Sequence, residues 1–182
     1  MNKKTLAVIG LLLVPPVLAY ALGPEPYEAV DRGRYLVNAF GCVDCHSPWQ
    51  MTPQGPQPDP TRYLSGHPDY MALPPAPKPE GPWIVSAAAT NTAWNGPWGT
   101  SFTANLTPDA DTGLGKWTEE EFIATLRNGR HLGRGRELLP PMPFPAIRNM
   151  SDQDLRSIFA YLRTIPAVQN RVPNPLPPAG VE

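Results

Sequence analysis

Proline is the residue that most limits what this chain can fold into. Twenty-six of the 182 residues are proline, and 12 of them fall between residues 47 and 104. Because proline holds φ at about −65° and has no N–H donor, it interrupts helices and is excluded from the centre of a sheet. The composition predicts a long connection without regular structure, which we expect either to be functional or to wrap a non-protein core.

Helical periodicity is confined to the residues on either side of this proline-rich segment. The stretch YEAVDRGRYLVNAF, residues 27–40, predicts a helix that ends at Gly41. Thr118 and Glu121 form a capping box ahead of an apolar stripe, and Gly129 is placed to end that second helix.

A third helix is predicted near the C-terminus. Ser151 precedes apolar positions with i, i+3, i+4, i+7 spacing, which predicts a helix over residues 152–164. Pro166 follows it, and residues 171–182 are predicted to form an extended tail. No stretch alternates long enough to predict a sheet, so the sequence predicts an all-α fold with long proline-rich loops.

The N-terminus has the pattern of an export segment. Lys3 and Lys4 precede an apolar run over residues 6–22, and Ala19-Tyr20-Ala21 forms a small-x-small cleavage site. We interpret residues 1–21 as a signal peptide or as an uncleaved membrane anchor, since the run is close to the ~20 residues that span a bilayer. In either case we expect the rest of the chain to be periplasmic or otherwise extracytoplasmic, soluble or membrane-anchored.

The charge of the remaining chain is slightly negative. Without residues 1–21 there are 13 basic and 16 acidic side chains, which gives no general attraction to nucleic acid. We therefore expect no nucleic-acid partner.

Both cysteines of the chain lie in the pentapeptide Cys42-Val43-Asp44-Cys45-His46. A redox dithiol needs a βαβ setting that stabilises a thiolate, but here a predicted helix ends at the motif and no strand precedes it. A structural zinc site needs four ligands, and beyond this motif only His67 and His131 offer further nitrogen donors.

The third interpretation of the motif is covalent haem attachment. In a Cys-x-x-Cys-His motif, the two thiols form thioethers with the haem vinyl groups and the histidine binds the iron. Export agrees with it, because two free cysteines in an oxidising compartment would tend to pair with each other. One motif predicts one covalent haem c held by Cys42, Cys45 and His46.

A six-coordinate haem needs a second axial ligand. Met142 is our candidate, because prolines 140, 141, 143 and 145 stiffen the segment LLPPMPFPAI around it. A thioether there would favour Fe(II) and raise the reduction potential. The other residues with a suitable donor atom are Met51, Met71, Met150, His67 and His131.

These features together resemble class I c-type cytochromes. The residues NLTPDADTGLGKWTEEEFIATLRNGRHLGRGRELLPPMPF are more narrowly similar to the cytochrome c domains in the haem subunits of bacterial membrane-bound alcohol and sugar-acid dehydrogenases. The resemblance covers residues 27–48 and 94–169. It implies that His46 and Met142 are the axial pair, and that an N-terminal helix packs across a C-terminal helix carrying the step Tyr161-Leu162.

The resemblance implies a cytochrome c-like fold over residues 22–170, with few helices around one covalently bound haem and residues 47–104 as a long proline-rich insertion. We expect a non-catalytic one-electron carrier between redox protein partners. The alternatives are a haem-bearing electron-transfer subunit of a membrane-bound dehydrogenase or oxidase complex, and a haem-based gas sensor or peroxidase. In each case the N-terminal segment offers a route to membrane association.

Replacing Cys42 and Cys45 together by serine tests the haem attachment. We expect the variant to keep no haem after denaturation in acid acetone, because serine cannot form the thioethers. Haem staining of the denatured polypeptide is the measurement, with the wild-type chain as the positive control. Retention of haem by the double variant would contradict covalent attachment at this motif.

Overall fold

The computed structural model describes residues 26–77 and 81–178, and the predicted signal peptide or anchor at residues 1–21 lies outside them. Five α-helices occur in the described residues: α1 (Pro26–Ala39), α2 (Cys42–His46), α3 (Glu119–Asn128), α4 (Phe144–Ile147) and α5 (Asp152–Leu162). Five strands accompany them: β1 (Trp49–Thr52), β2 (Gly55–Pro58), β3 (Ser86–Ala87), β4 (Ala93–Gly96) and β5 (Gly99–Phe102). None of the described helices combines the length and apolar character needed to cross a membrane.

The all-α prediction is wrong, because the proline-rich segment contains two small antiparallel sheets. One is the β1–β2 hairpin, and the other has the order β3–β4–β5. In the hairpin, Pro56 pairs with Met51 and Pro58 with Trp49. Proline is tolerated there because both strands of a two-stranded sheet are edge strands. Strands of two to four residues need no long alternation, so sequence periodicity could not reveal them.

The predicted helix ends are largely confirmed by the backbone. The Thr118 side chain accepts from Glu121 N and Glu121 accepts in return, which completes the predicted capping box of α3. Gly129 ends that helix at φ 66°, in the left-handed conformation. Ser151 caps α5 through a bond from Asp154 N, and α5 ends at Leu162, two residues before the predicted end.

The core forms where α1 and α5 cross and where α3 packs beside them. Its buried members are apolar residues from these helices and from the loops between them, namely Leu36, Val37, Leu64, Leu114, Phe122, Leu126, Ile147, Leu155, Ile158, Phe159, Leu162 and Ile165. Phe122 of α3 and Phe159 of α5 stack at 5.1 Å between ring centroids. The core therefore fixes the N-terminal helix, and with it the cysteine motif that follows directly.

Gly33 lets α1 and α5 approach each other closely. A Cβ atom built at Gly33 would lie 1.9 Å from the carbonyl oxygen of Ser157 and 2.8 Å from Cβ of Tyr161. Neither contact is possible, so any larger residue would push the two helices apart. The crossing includes the Tyr161-Leu162 step, as the resemblance implied.

Replacing Gly33 by alanine should therefore destabilise the protein. Alanine favours a helix over glycine by about 1 kcal/mol, but overpacking a core typically costs about 1–3 kcal/mol, and contact with backbone atoms gives little room to relax. We expect the free energy of unfolding to fall by about 2 kcal/mol in urea titrations. Arg34→Ala, at the next and exposed position of α1, should change it by less than about 0.5 kcal/mol. Equal stabilities of the two variants would refute the close crossing.

Candidate functional site

The cysteine motif occupies the single short helix α2. Gly41 precedes it at φ 66° and separates it from α1, while Ser47 leaves it in an extended conformation. Left-handed backbone at Gly41 favours glycine, so the chain can reverse direction at this point. On one helical turn, residues three apart lie on the same face, which places Cys42 and Cys45 side by side.

Both cysteines are free thiols in a setting that keeps them protonated. Burial raises the pKa of Cys42 to about 11, and burial together with the neighbouring Asp44 raises the pKa of Cys45. A redox dithiol needs a lowered pKa that supplies thiolate near neutral pH. The electrostatics therefore disfavour the dithiol interpretation.

His46 is buried, and one of its ring nitrogens is fixed by the backbone. Nδ1 lies 2.8 Å from the carbonyl oxygen of Ala104, an acceptor, so Nδ1 carries the proton and Nε2 keeps its lone pair. Burial also lowers the pKa of the imidazole, which favours the neutral ring. A neutral imidazole with an oriented second nitrogen is the form that binds a metal.

The proline-rich segment folds back onto the cysteine motif through backbone contacts. Gly66 N donates to the His46 carbonyl at 2.7 Å. The Asp44 carbonyl accepts from the indole of Trp49 and from the amide of Asn91, each at 2.8 Å. These bonds hold α2 in place from the side opposite α1.

Met142 lies in the loop between α3 and α4 and is partly buried against the core. Cys42 packs against the same core cluster, as do seven other partly buried side chains: Val43, Tyr63, Leu106, Trp117, Ile123, Met150 and Tyr161. Partly buried apolar side chains with a cysteine and a methionine among them suit a large, flat, apolar cofactor.

The other sequence candidates for an axial ligand have different environments. Met51 on β1 is 80% exposed, and Met150 packs against the core. His67 is fully buried, with Nδ1 2.9 Å from the Thr92 hydroxyl and Nε2 3.1 Å from the Met71 carbonyl. His131 packs edge-on against Trp117 at 5.0 Å. Both ring nitrogens of His67 are therefore engaged within the protein.

Two buried indole N–H groups provide a separate indication of a missing partner. Trp94 Nε1 and Trp98 Nε1 are buried and have no hydrogen-bond acceptor among the described residues. A buried donor without an acceptor costs about 1–3 kcal/mol, so such groups normally have one. The carboxylates of haem propionates are suitable acceptors, and the residues present therefore fit a haem. Trp83, by contrast, is 75% exposed.

Sequence reasoning missed the contribution of Ala104 and underrated Arg127. Ala104 acts through its carbonyl, which every residue type supplies, so no sequence signal could have identified it. Arg127 donates to the carbonyls of Arg148 and Met150 and pairs with Asp152 at 2.5 Å. It thus ties the end of α3 to the start of α5, and of the four arginines between residues 127 and 136 it is the one with a structural task.

Comparisons with known proteins agree with this chemistry. No family model matches the chain. The chain is 36% identical over 161 residues to a nicotinate dehydrogenase component of Pseudomonas putida, which covers 88% of this chain and 10% of that protein. It is 28% identical over 175 residues to the cytochrome c subunit of a quinone alcohol dehydrogenase of Gluconobacter oxydans, covering 94% and 29%.

A third relative is a diheme cytochrome c-type protein of Cereibacter sphaeroides. The identity is 32% over 161 residues, covering 86% of this chain and 43% of that protein. The chain thus spans between about a tenth and less than half of the length of these curated relatives. Its homologues include cytochrome c subunits of bacterial dehydrogenases, and they match it over most of its own length.

Proposed function

We propose that this protein is an exported electron-transfer cytochrome that carries one electron at a time on a single covalent haem c. The observation that carries the proposal is the bond from His46 Nδ1 to the Ala104 carbonyl, next to two cysteines on one helical turn. Haem iron, when bound, supplies the Fe(III)/Fe(II) couple. The protein's task is to fix the ligands and exclude water.

A single haem per chain is the finer part of this proposal. The 182 residues contain two cysteines in one motif, and each covalent haem c of this type uses two. We assign the thioethers to Cys42 and Cys45 and the axial positions to His46 and Met142. The haem domain spans residues 22–170, with residues 47–104 inserted after the motif and residues 171–182 as the tail.

The ligands account for electron transfer rather than catalysis. His46 is oriented before any metal binds, because its Nδ1 bond to Ala104 sets the tautomer. Met142 belongs to a segment with four prolines among residues 140–145, which loses little entropy when its side chain is held in one position. Two protein ligands leave no open position for a substrate, so the electron passes through the exposed edge of the site.

An extracytoplasmic location is part of the proposal. The lysines and the apolar run of residues 1–21 support export, either as a cleaved signal peptide or as an anchor. Covalent haem attachment of this kind takes place outside the cytoplasm, which supports the same location.

The partners we propose are redox proteins with acidic docking surfaces. Arg130, Arg134 and Arg136 lie in the loop that leads to Met142. Arg130 pairs with Glu137 at 2.8 Å, while the closest carboxylate of Arg134 is Glu121 at 3.4 Å. Arg134 is 72% exposed, so its charge is available to a partner.

A second candidate function is an electron-transfer subunit of a dehydrogenase complex. The names of the relatives favour it, since they include cytochrome subunits of alcohol, fructose and gluconate dehydrogenases. The same site would serve both roles, with the catalytic subunit as the electron donor. Co-purification with a dehydrogenase would favour the subunit role, and a free monomer would favour the independent carrier.

Replacing Met142 by alanine tests the axial ligand and the function together. We expect the oxidised wild type to show the weak far-red band of thioether-to-iron charge transfer, and Met142→Ala to lose it and to have a lower reduction potential. Met150→Ala, which truncates a methionine packed against the same core, should keep the band. A high-spin spectrum in the wild type would contradict the closed site and favour a gas sensor or peroxidase.

The arginine loop is tested with small redox reagents of opposite charge. We expect oxidation of the reduced protein by ferricyanide to slow by about tenfold in Arg134→Ala/Arg136→Ala, the low end of electrostatic steering. Oxidation by a cationic cobalt phenanthroline complex should not slow. The control is Arg32→Ala/Arg156→Ala, since these exposed arginines lie on α1 and α5. Equal ferricyanide rates in both double variants would contradict docking at the loop.

A further inference from the structure

The β4–β5 hairpin contacts the Met142 segment through a single hydroxyl group. Ser101 on β5 is 7% exposed, and its Oγ donates to the carbonyl oxygen of Pro140 at 2.6 Å. The next acceptor, the Trp94 carbonyl, is 3.3 Å away. Because a serine hydroxyl has one hydrogen, the shorter contact is its principal hydrogen bond.

The Met142 segment has few hydrogen bonds of its own. Residues 140, 141, 143 and 145 are prolines and have no N–H to donate. Met142 N reaches the Leu139 carbonyl at 3.3 Å, which is long for such a bond. Among the hydrogen bonds of the described residues, the bond from Ser101 is the only one that reaches residues 139–142 from outside that segment.

Ser101 is itself held on both sides. Within the sheet it pairs with Trp94 of β4. On the other edge of β5, Thr100 and Leu176 exchange two backbone hydrogen bonds of 2.9 Å. A Cβ atom at Gly99 would lie 2.1 Å from the Leu176 carbonyl, so the tail packs directly against the hairpin. Ser101 therefore presents its hydroxyl from a fixed position.

We propose that Ser101 is a positioning residue for Met142, whose hydroxyl holds the Pro140 carbonyl so that the methionine segment stays closed over the site. The inference rests on the proposed role of Met142 as an axial ligand. Proline stiffness limits the shapes of the segment, but it does not choose where the segment lies. The hydrogen bond supplies that choice, and it connects the inserted hairpin to the haem site.

The test compares Ser101→Ala with Ser101→Thr in the full-length, haem-loaded protein. The readouts are the far-red band of the oxidised form and the apparent dissociation constant of imidazole, which competes with the thioether for iron. We expect Ser101→Ala to bind imidazole about fivefold more tightly, the factor equal to about 1 kcal/mol for one hydrogen bond, and to have a weaker far-red band. Ser101→Thr keeps the hydroxyl and should behave as the wild type.

The matched control is Thr100→Val, which removes the neighbouring hydroxyl. Thr100 Oγ1 donates to Asn95 Oδ1 at 3.0 Å within the hairpin, so its loss should leave imidazole binding unchanged. Thermal unfolding of each variant shows whether a change reflects the site or general instability. If Thr100→Val and Ser101→Ala lose equal stability but only Ser101→Ala binds imidazole more tightly, the positioning role is supported.

Two results would overturn the inference, and they are distinguishable. An unchanged band and unchanged imidazole affinity in Ser101→Ala would refute the role of Ser101 while leaving Met142 as the ligand. A wild type without the far-red band would refute the axial role of Met142 and the positioning role with it.

Discussion

The hydrogen bond from His46 Nδ1 to the Ala104 carbonyl is the interaction on which the rest of the structure depends. It joins two points 58 residues apart and thereby closes the proline-rich segment into a loop that begins and ends at the site. It also fixes the tautomer of His46, leaving Nε2 for a metal. One contact thus sets both the topology of the insertion and the chemistry of the motif.

Closing so long a segment requires partners for many backbone groups that prolines prevent from forming helix or sheet. Asn170 supplies several of them. Its amide donates to the carbonyls of Ser65 and His67, and its oxygen accepts from Asp69 N and from the guanidinium of Arg62. Asn170 is fully buried, so side-chain bonds replace regular structure in holding the insertion to the chain that follows α5.

How much the sequence predicts depends on whether a feature is local. The caps at Thr118, Gly129 and Ser151 are confirmed because capping involves neighbours within a few residues. The sheets were missed because strands of two to four residues carry no periodic signal. Ala104 could not be predicted because it acts through its backbone, and Ser101 because its acceptor, Pro140, lies 39 residues further along the chain.

Counting the haem in the purified wild-type protein tests the central claim most directly. A pyridine haemochrome spectrum gives the amount of haem and shows whether its vinyl groups have become thioethers. The account predicts one haem c per polypeptide, with both vinyl groups saturated, because the chain has two cysteines in a single motif. No haem, two haems per chain, or a haem with free vinyl groups would contradict it.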